Sequence, residues 1–489
     1  RGGPTVSATP YRTFTGEASG DQFGYSVSGA GDVNADGIQD LIVGAAFNDA
    51  AGSNAGRAYV YFVGVNLDTT VDLTLTGEAS VDLFGGAVSS AGDFNADGYD
   101  DILVGANGND VLGADSGAAY IYYGGPGLDA TPDLVLDGMR AGERFGFSVS
   151  DAGDVNGDGY ADVIIGAPLH DNAGTDKGAT FLFHGGPSPD TSADWIVIGD
   201  RSGDEFGRAV SGVGDINGDG YSDVAIGAPD RDATATDAGR VTVFYGGPAM
   251  DRTEDFFLAG EASGDRFGEA VSGGGDLDGD GLPDLIVGSA YNNARGSNSG
   301  EAYVYSNANR GIGVPEWIEQ QSSTVTFGAR VVGVGDTRGD GNEDVLVISR
   351  LDGLGQGTAD LYRGRPDMAA ATSFELAAGV NNFDALGGSA DGGQDVNADG
   401  RDDILLGVQK DDTAGTDAGA AQLWYYAESG AWQSVVYTGE AAGDEFGTSV
   451  SLAGDVNGDG YADLIVGAPL NDVGGTFSGR AYVFWGGRV

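Results

Sequence analysis

Asp154-Val155-Asn156-Gly157-Asp158-Gly159-Tyr160-Ala161-Asp162 is the stretch on which the reading of this chain turns. Carboxylate or amide oxygens stand at its positions 1, 3 and 5, a glycine at position 6 allows a sharp turn, and an Asp closes it at position 9. Hard oxygen donors in that number and spacing suit a calcium ion. An EF-hand closes with Glu six residues after its Gly and lies between helices. Here closure comes three residues after the Gly, and both flanks read as strands. A single copy could be no more than a polar β-turn between two strands; the recurrence of the loop argues against that.

The loop recurs eight times, starting at Asp32, Asp93, Asp154, Asp215, Asp276, Asp336, Asp395 and Asp455, with spacings of 61, 61, 61, 61, 60, 59 and 60 residues. One supersecondary unit has been copied along the chain. Seven copies carry a full ligand set: Asp32, Asn34, Asp36, Ile38 and Asp40; Asp93, Asn95, Asp97, Tyr99 and Asp101; Asp154, Asn156, Asp158, Tyr160 and Asp162; Asp215, Asn217, Asp219, Tyr221 and Asp223; Asp276, Asp278, Asp280, Leu282 and Asp284; Asp395, Asn397, Asp399, Arg401 and Asp403; Asp455, Asn457, Asp459, Tyr461 and Asp463. The variety at position 7 is what a backbone-carbonyl ligand permits, since only its main chain is used. In the sixth loop Arg338 stands between Asp336 and Asp340, a guanidinium where an oxygen donor belongs. That loop is expected to hold no calcium, with Arg338 as an internal counter-ion, so about seven Ca2+ ions are expected.

The residues around one loop give the architecture. Asp133 to Asp137 alternates like a strand, Gly138 to Glu143 is a turn, Phe145 to Ser150 reads as a second strand, Asp162 to Gly166 as a fully apolar central strand, and Ala179 to His184 as a fourth. Four antiparallel strands per unit with no helical periodicity predict an all-β fold, an eight-bladed β-propeller occupying residues 1–489 as a single domain. The last unit stops one strand short, at Tyr482-Val483-Phe484-Trp485, while Tyr11-Arg12-Thr13-Phe14-Thr15 matches the outer strand Leu73-Thr74-Leu75-Thr76. The N-terminal strand is therefore expected to complete the C-terminal blade, which removes both open edges.

Composition bounds the surroundings. The formal charge is −52, and the ligand positions hold 25 of the 75 acidic side chains, so the excess is not explained by the loops. Such a surface repels nucleic acid and anionic membrane. Lysine occurs only at Lys177 and Lys410 against 21 arginines, and Asp exceeds Glu 60 to 15, a balance that points to a saline habitat. Cysteine is absent, and so is any N-x-Ser/Thr sequon, which favours a prokaryotic source with metal as the staple outside the cell. No apolar run approaches the roughly 18 residues of a membrane span. The opening Arg1-Gly2-Gly3 reads as a piece of a longer surface or secreted product.

Phe-Gly recurs at Phe23-Gly24, Phe84-Gly85, Phe145-Gly146, Phe206-Gly207, Phe267-Gly268, Phe327-Gly328 and Phe446-Gly447, and Gly-Ala-Pro at Gly166-Pro168, Gly227-Pro229 and Gly467-Pro469, with the acidic loop between them. Over essentially the whole chain this resembles the FG-GAP repeats of the integrin α-subunit propeller. The resemblance implies a calcium-stabilised propeller of the adhesion type. Relatives of that family also include lectins and appendages of lipid-cleaving enzymes. Integrin propellers have seven blades, so the eight repeats depart from the pattern and ligand surfaces do not carry across blade by blade. The seventh unit departs further, with Leu386-Gly387 for Phe-Gly and Gly407-Val408-Gln409 for Gly-Ala-Pro.

Catalytic signatures are missing: no Cys nucleophile, no GxSxG, no phosphate loop and no HExxH. His170 in a variable loop and His184 at a strand end both read as surface residues. The expected function is a secreted or cell-surface module that binds a protein or a glycan and is not an enzyme. The alternatives are a lectin-like carbohydrate binder, a polysaccharide-degrading enzyme or an enzyme appendage. Binding is expected on the face opposite the acidic loops, through the turns Arg140 to Arg144 and Arg201 to Glu205 and the loops Phe47 to Asn54, Leu169 to Lys177 and Tyr291 to Asn298.

Overall fold

The computed structural model describes residues 6–488, other than 64–66, 68, 172–174, 294–298, 307–316, 321–325, 350–356, 367–372, 379–385 and 428. The described residues form thirty-two strands and no helix, arranged as eight four-stranded sheets. In the third blade the inner strand Ser148–Gly153 pairs antiparallel with Asp162–Ala167, which pairs with Ala179–Phe183, which pairs with Trp195–Ile198. The innermost strands touch one another in succession, and the last, Ser449–Gly454, touches the first, Ser26–Gly31, so the ring is closed. The expected seal is present. Arg12 to Thr15 pairs antiparallel with Val483 to Arg480 as the outer strand of the last blade.

Burial along a blade follows position in the ring. Asp162–Ala167 is buried at all six residues because both of its faces are covered by neighbouring blades, which is why it reads as an unbroken apolar run. Inner strands such as Ser148–Gly153 carry Ser, Ala and Gly, small enough for eight strands to crowd around one axis.

In six blades the Phe-Gly dipeptide is the joint between blades and not, as the alternation suggested, the start of a strand, whereas in the sixth the strand Phe327–Gly333 does begin there. Phe84 and Gly56 of the preceding blade form an isolated parallel bridge, and the same bridge recurs at six other seams, including Phe23 with Gly479 across the closure. The phenyl ring fills the seam: Phe84 is fully buried and packs edge-on against Tyr120 with centroids 5.1 Å apart. Burial of such a ring contributes about 1.5–3 kcal/mol. Gly85 takes the left-handed region at φ +81°, where a Cβ would lie 2.4 Å from the Arg57 carbonyl oxygen. On the facing strand a Cβ at Gly44 would lie 2.1 Å from the Gly85 carbonyl oxygen. Backbone meets backbone at each regular seam, so both motif glycines are steric requirements of closure.

Strands alternate in direction, so the two ends of the ring differ. One face carries the acidic loops between inner and second strands. The opposite face carries the loops between second and third strands and the turns that precede Phe-Gly.

Candidate metal centres

Each acidic loop is folded by its own side chains. In the first, Asp32 Oδ1 accepts from the Asp36 N–H (3.1 Å) and Oδ2 from the Gly37 N–H (2.8 Å). Asn34 Oδ1 accepts from the Asp36 N–H (2.9 Å), and Asp36 Oδ1 from the Ile38 N–H (2.9 Å). These Asx-type turns curl positions 1, 3 and 5 round a common point. Position 9 is the link to the blade. Asp40 is fully buried, with Oδ2 accepting from Val33 N–H (3.2 Å) and Oδ1 from Val63 N–H (2.7 Å) at the end of the third strand. Asp162 repeats this with Val155 (2.9 Å) and Gly185 (2.8 Å).

Burial raises these closing carboxyls. Asp162 is pushed up to about 7, chiefly by burial, which outweighs its backbone hydrogen bonds and is reinforced by Asp158 and Asp154. Asp40 rises to about 8 and Asp403 to about 9 for the same principal reason. A buried carboxyl with like charges beside it favours either a proton or a cation.

Position 3 sets how many carboxylates a loop offers. In the fifth loop it is Asp278, and Asp276, Asp278 and Asp284 bring carboxylate oxygens within 4.8 Å of one another. Asp276 Oδ1 and Asp284 Oδ1 are buried without a hydrogen-bond partner, as is Asn397 Oδ1 in the seventh loop. Orphaned buried oxygens in a set of hard donors fit a divalent cation. Where position 3 is Asn, its amide donates within the loop: Asn34 and Asn457 to the closing Asp, Asn156 and Asn217 to position 5.

The sixth loop keeps the fold and changes the chemistry. Asp336 Oδ1 and Oδ2 accept from Asp340 and Gly341 (3.0 and 2.8 Å), as elsewhere. The Arg338 guanidinium does not act as the internal counter-ion expected of it. It turns out of the loop, lies 4.6 Å from the centre of the Tyr426 ring and donates to the Tyr426 hydroxyl (3.0 Å). Arg401 of the seventh loop reaches the same ring at 5.6 Å and donates to the Tyr426 carbonyl (2.9 Å).

His170 corrects a second expectation. It is 1% exposed, with Nδ1 hydrogen-bonded to the fully buried Glu143 carboxylate. The pair occupies the position held elsewhere by Asn48 with Asp21 and Asn471 with Asp444, in which a buried amide meets the carboxylate of the turn before Phe-Gly. His170 is thus one of a repeated set of buried latches. His184 lies just past its strand and is partly exposed.

On the opposite face, exposed apolar side chains gather. Tyr25, Val81, Val111, Leu112, Met139, Val473 and Phe477 are each 40–60% exposed and all lie there, over the eighth, first and second blades. Beside them Tyr25, Phe47 and Phe147 line a cavity of about 200 Å³. Of the loops singled out in the sequence, Phe47 to Asn54 belongs to this arc. Most of Tyr291 to Asn298, and residues 172–174 of Leu169 to Lys177, lie outside the described residues. Val111-Leu112 and Val473 were missed. Aligning the repeats reveals them, since Ala50-Ala51 stands where Val111-Leu112 does.

The FG-GAP repeat profile matches residues 23–61, 84–122, 145–183, 206–244 and 446–484, and an FG-GAP-like repeat profile matches 276–347. Integrin alpha-5 of Xenopus laevis is 34% identical over 229 residues, 45% of this chain and 21% of that protein. Human phosphatidylinositol-glycan-specific phospholipase D is 32% identical over 212 residues, 39% of this chain and 25% of its own length. The chain thus aligns with a quarter or less of these longer relatives. A solved exotype rhamnogalacturonan lyase, YesX, superposes over 89% of this chain and 88% of its own with 12% identity and a TM-score of 0.29, too loose to bear on fold or function.

Proposed function

The chain is an FG-GAP repeat protein with an integrin α-like propeller, and from that premise we propose that it is a calcium-stabilised, non-catalytic adhesion module working outside the cell on a protein ligand. The observation that carries the reading is the division of labour between the two faces. One holds the acidic loops, and the other gathers seven of the nine exposed large apolar side chains of the described residues, Phe257 and Val436 lying on outer strands. Scattered exposed apolar residues are ordinary, but a concentration on one face of a ring with charge −52 marks a contact surface. The donors of seven loops would hold Ca2+, a hard cation abundant outside cells, and the sixth loop would hold none. A bound ion would neutralise carboxylates that otherwise repel one another at the hairpin between inner and second strands.

The test is an array of extracellular proteins and glycans probed with the chain in calcium buffer, beside Leu112→Asp and Val473→Asp. Both positions are more than half exposed, so folding should survive. Protein binding that is lost in both variants supports the proposal. Binding confined to glycans would move the assignment to a lectin, and binding unaffected by either variant would place the ligand elsewhere.

A further inference from the structure

The seam between the third and fourth blades differs from the other regular seams. In five blades the middle residue of the third strand is aromatic: Tyr59, Tyr120, Phe181, Tyr303 and Tyr482. Each packs edge-on against its Phe-Gly phenylalanine, with centroids 5.0–5.1 Å apart. The fourth blade has Thr242 there, and Phe206 has no such partner. The ring left out opens a cavity of about 530 Å³, walled by Ile196, Ile198, Phe206 and Phe244.

Three arginines, Arg231, Arg240 and Arg252, line the same cavity, and the propeller supplies its own control for one of them. Arg57 and Arg480 hold in the first and eighth blades the position that Arg240 holds in the fourth. Arg57 Nε donates to Thr76 Oγ1 and Arg480 Nε to Thr15 Oγ1 (both 3.1 Å), while Nη1 of each meets Glu17 or Glu440. The residue paired with Arg240 is Ala259, which offers no hydroxyl. The acid of the preceding turn is the shorter Asp200, which pairs with Arg231 instead (3.1 Å). Arg240 therefore swings to Glu254, and its Nε is buried without an acceptor. Arg231, which stands in the place of the latch amides, is held by Asp204 and Asp200, and its Nε is buried without an acceptor as well. Both side chains are 11% exposed. Both arginines line the cavity, and a buried N–H without an acceptor leaves each guanidinium incompletely satisfied.

We propose that this cavity is a binding site for a small organic monocarboxylate, its carboxylate meeting the guanidinium side of the cavity at Arg231 and Arg240 and its apolar body lying against Ile196, Ile198 and Phe206. A planar carboxylate matches the guanidinium edge. The charges already present, Arg231, Arg240 and Arg252 against Asp200, Asp204 and Glu254, are balanced, so a single negative charge is tolerated where the double charge of a phosphate is repelled. The volume lies in the range of small-ligand pockets. This site is separate from the apolar face assigned to adhesion and does not depend on it.

The experiment is a calorimetric and ligand-detected NMR titration of the whole chain with benzoate and hexanoate, and with benzamide as the neutral control, up to about 10 mM. Saturable binding of at least one acid, and none of benzamide, is expected. Thr242→Tyr restores the aromatic of the other blades, so it should keep or raise the melting midpoint and weaken acid binding at least about tenfold. Ala259→Thr returns the missing hydroxyl to Arg240 and should weaken binding several-fold without filling the cavity, which keeps the proposal testable if the tyrosine variant folds poorly. Absence of saturable binding by either acid, or acid binding unchanged in the folded variants, overturns the proposal.

Discussion

The fifth and sixth blades are neighbours with the same loop backbone and opposite chemistry. Asp276 Oδ2 accepts from Gly281 N–H at 2.9 Å, and Asp336 Oδ2 accepts from Gly341 N–H at 2.8 Å. At position 3 one has Asp278 within a converging carboxylate set, and the other has Arg338 turned away to Tyr426. The turn is therefore made by side-chain to backbone hydrogen bonds, and a single residue within it decides whether the loop presents a further carboxylate or a guanidinium. The seams diverge with the loops. Where regular blades have a glycine facing the next Phe-Gly, the sixth has Ile348, whose Cγ2 lies 2.3 Å from where a Cβ on Gly387 would sit. Arg330, in place of the serine that caps a Phe-Gly carbonyl elsewhere, reaches Gly388 (2.8 Å) across a bulge in the inner strand. A joint built on close backbone contact can thus be replaced by side-chain packing, if several residues change together.

The comparison can be broken first at a regular seam. Gly44→Ala drives a Cβ into the Gly85 carbonyl without the compensating changes of the sixth blade, and should cost about 3 kcal/mol or more in chemical denaturation. A loss under about 1 kcal/mol would mean that the seam is looser than its geometry.

A smaller effect is expected at the fifth loop. Asp278→Ala should lower the number of calcium ions bound by one and remove on the order of 1–1.5 kcal/mol of stability at millimolar calcium, for a site with Kd near 10⁻⁴ M. Unchanged stoichiometry would show that the cluster is only a turn. The reciprocal change, Arg338→Asn, should add one ion. Its net gain is smaller, because the contact of Arg338 with Tyr426 contributes about 0.5–1 kcal/mol and is lost.

The pH dependence follows from the closing carboxyls. Without a cation their folded-state values lie above the unfolded value, at about 7 for Asp162 and about 8 for Asp284. Their contribution to the stability of the metal-free protein is complete below about pH 4 and is lost as pH rises through 7 to 8. Calcium displaces those protons, so its affinity should fall on going from pH 8 to pH 6. Calcium titrations of the same protein at the two values and at matched ionic strength check this, and equal affinities would contradict it.

Much of the fold was legible because a repeat states the same constraint eight times. Loop spacing gave the number of blades, and the match of Tyr11 to Thr15 with Leu73 to Thr76 gave the closure. What one repeat hides is which residues meet across seams. Phe145 looked like a strand start because alternation cannot distinguish a strand from a buried joint. His170 looked exposed because its partner Glu143 lies 27 residues away in a separate turn. The direction taken by Arg338 depended on Tyr426, 88 residues on, which no local pattern reveals. The loop ligands were readable since they are local; the apolar arc on the opposite face is assembled from three blades and was not.

Thermal unfolding of the whole chain in EDTA and in about 5 mM calcium, at matched ionic strength so that screening of the −52 charge is not mistaken for binding at the loops, tests the central claim most directly. Several filled loops acting together should raise the midpoint by many degrees in calcium, and magnesium at the same concentration should do much less. A midpoint that is the same in EDTA and in calcium would mean that the eight loops are turns and nothing more.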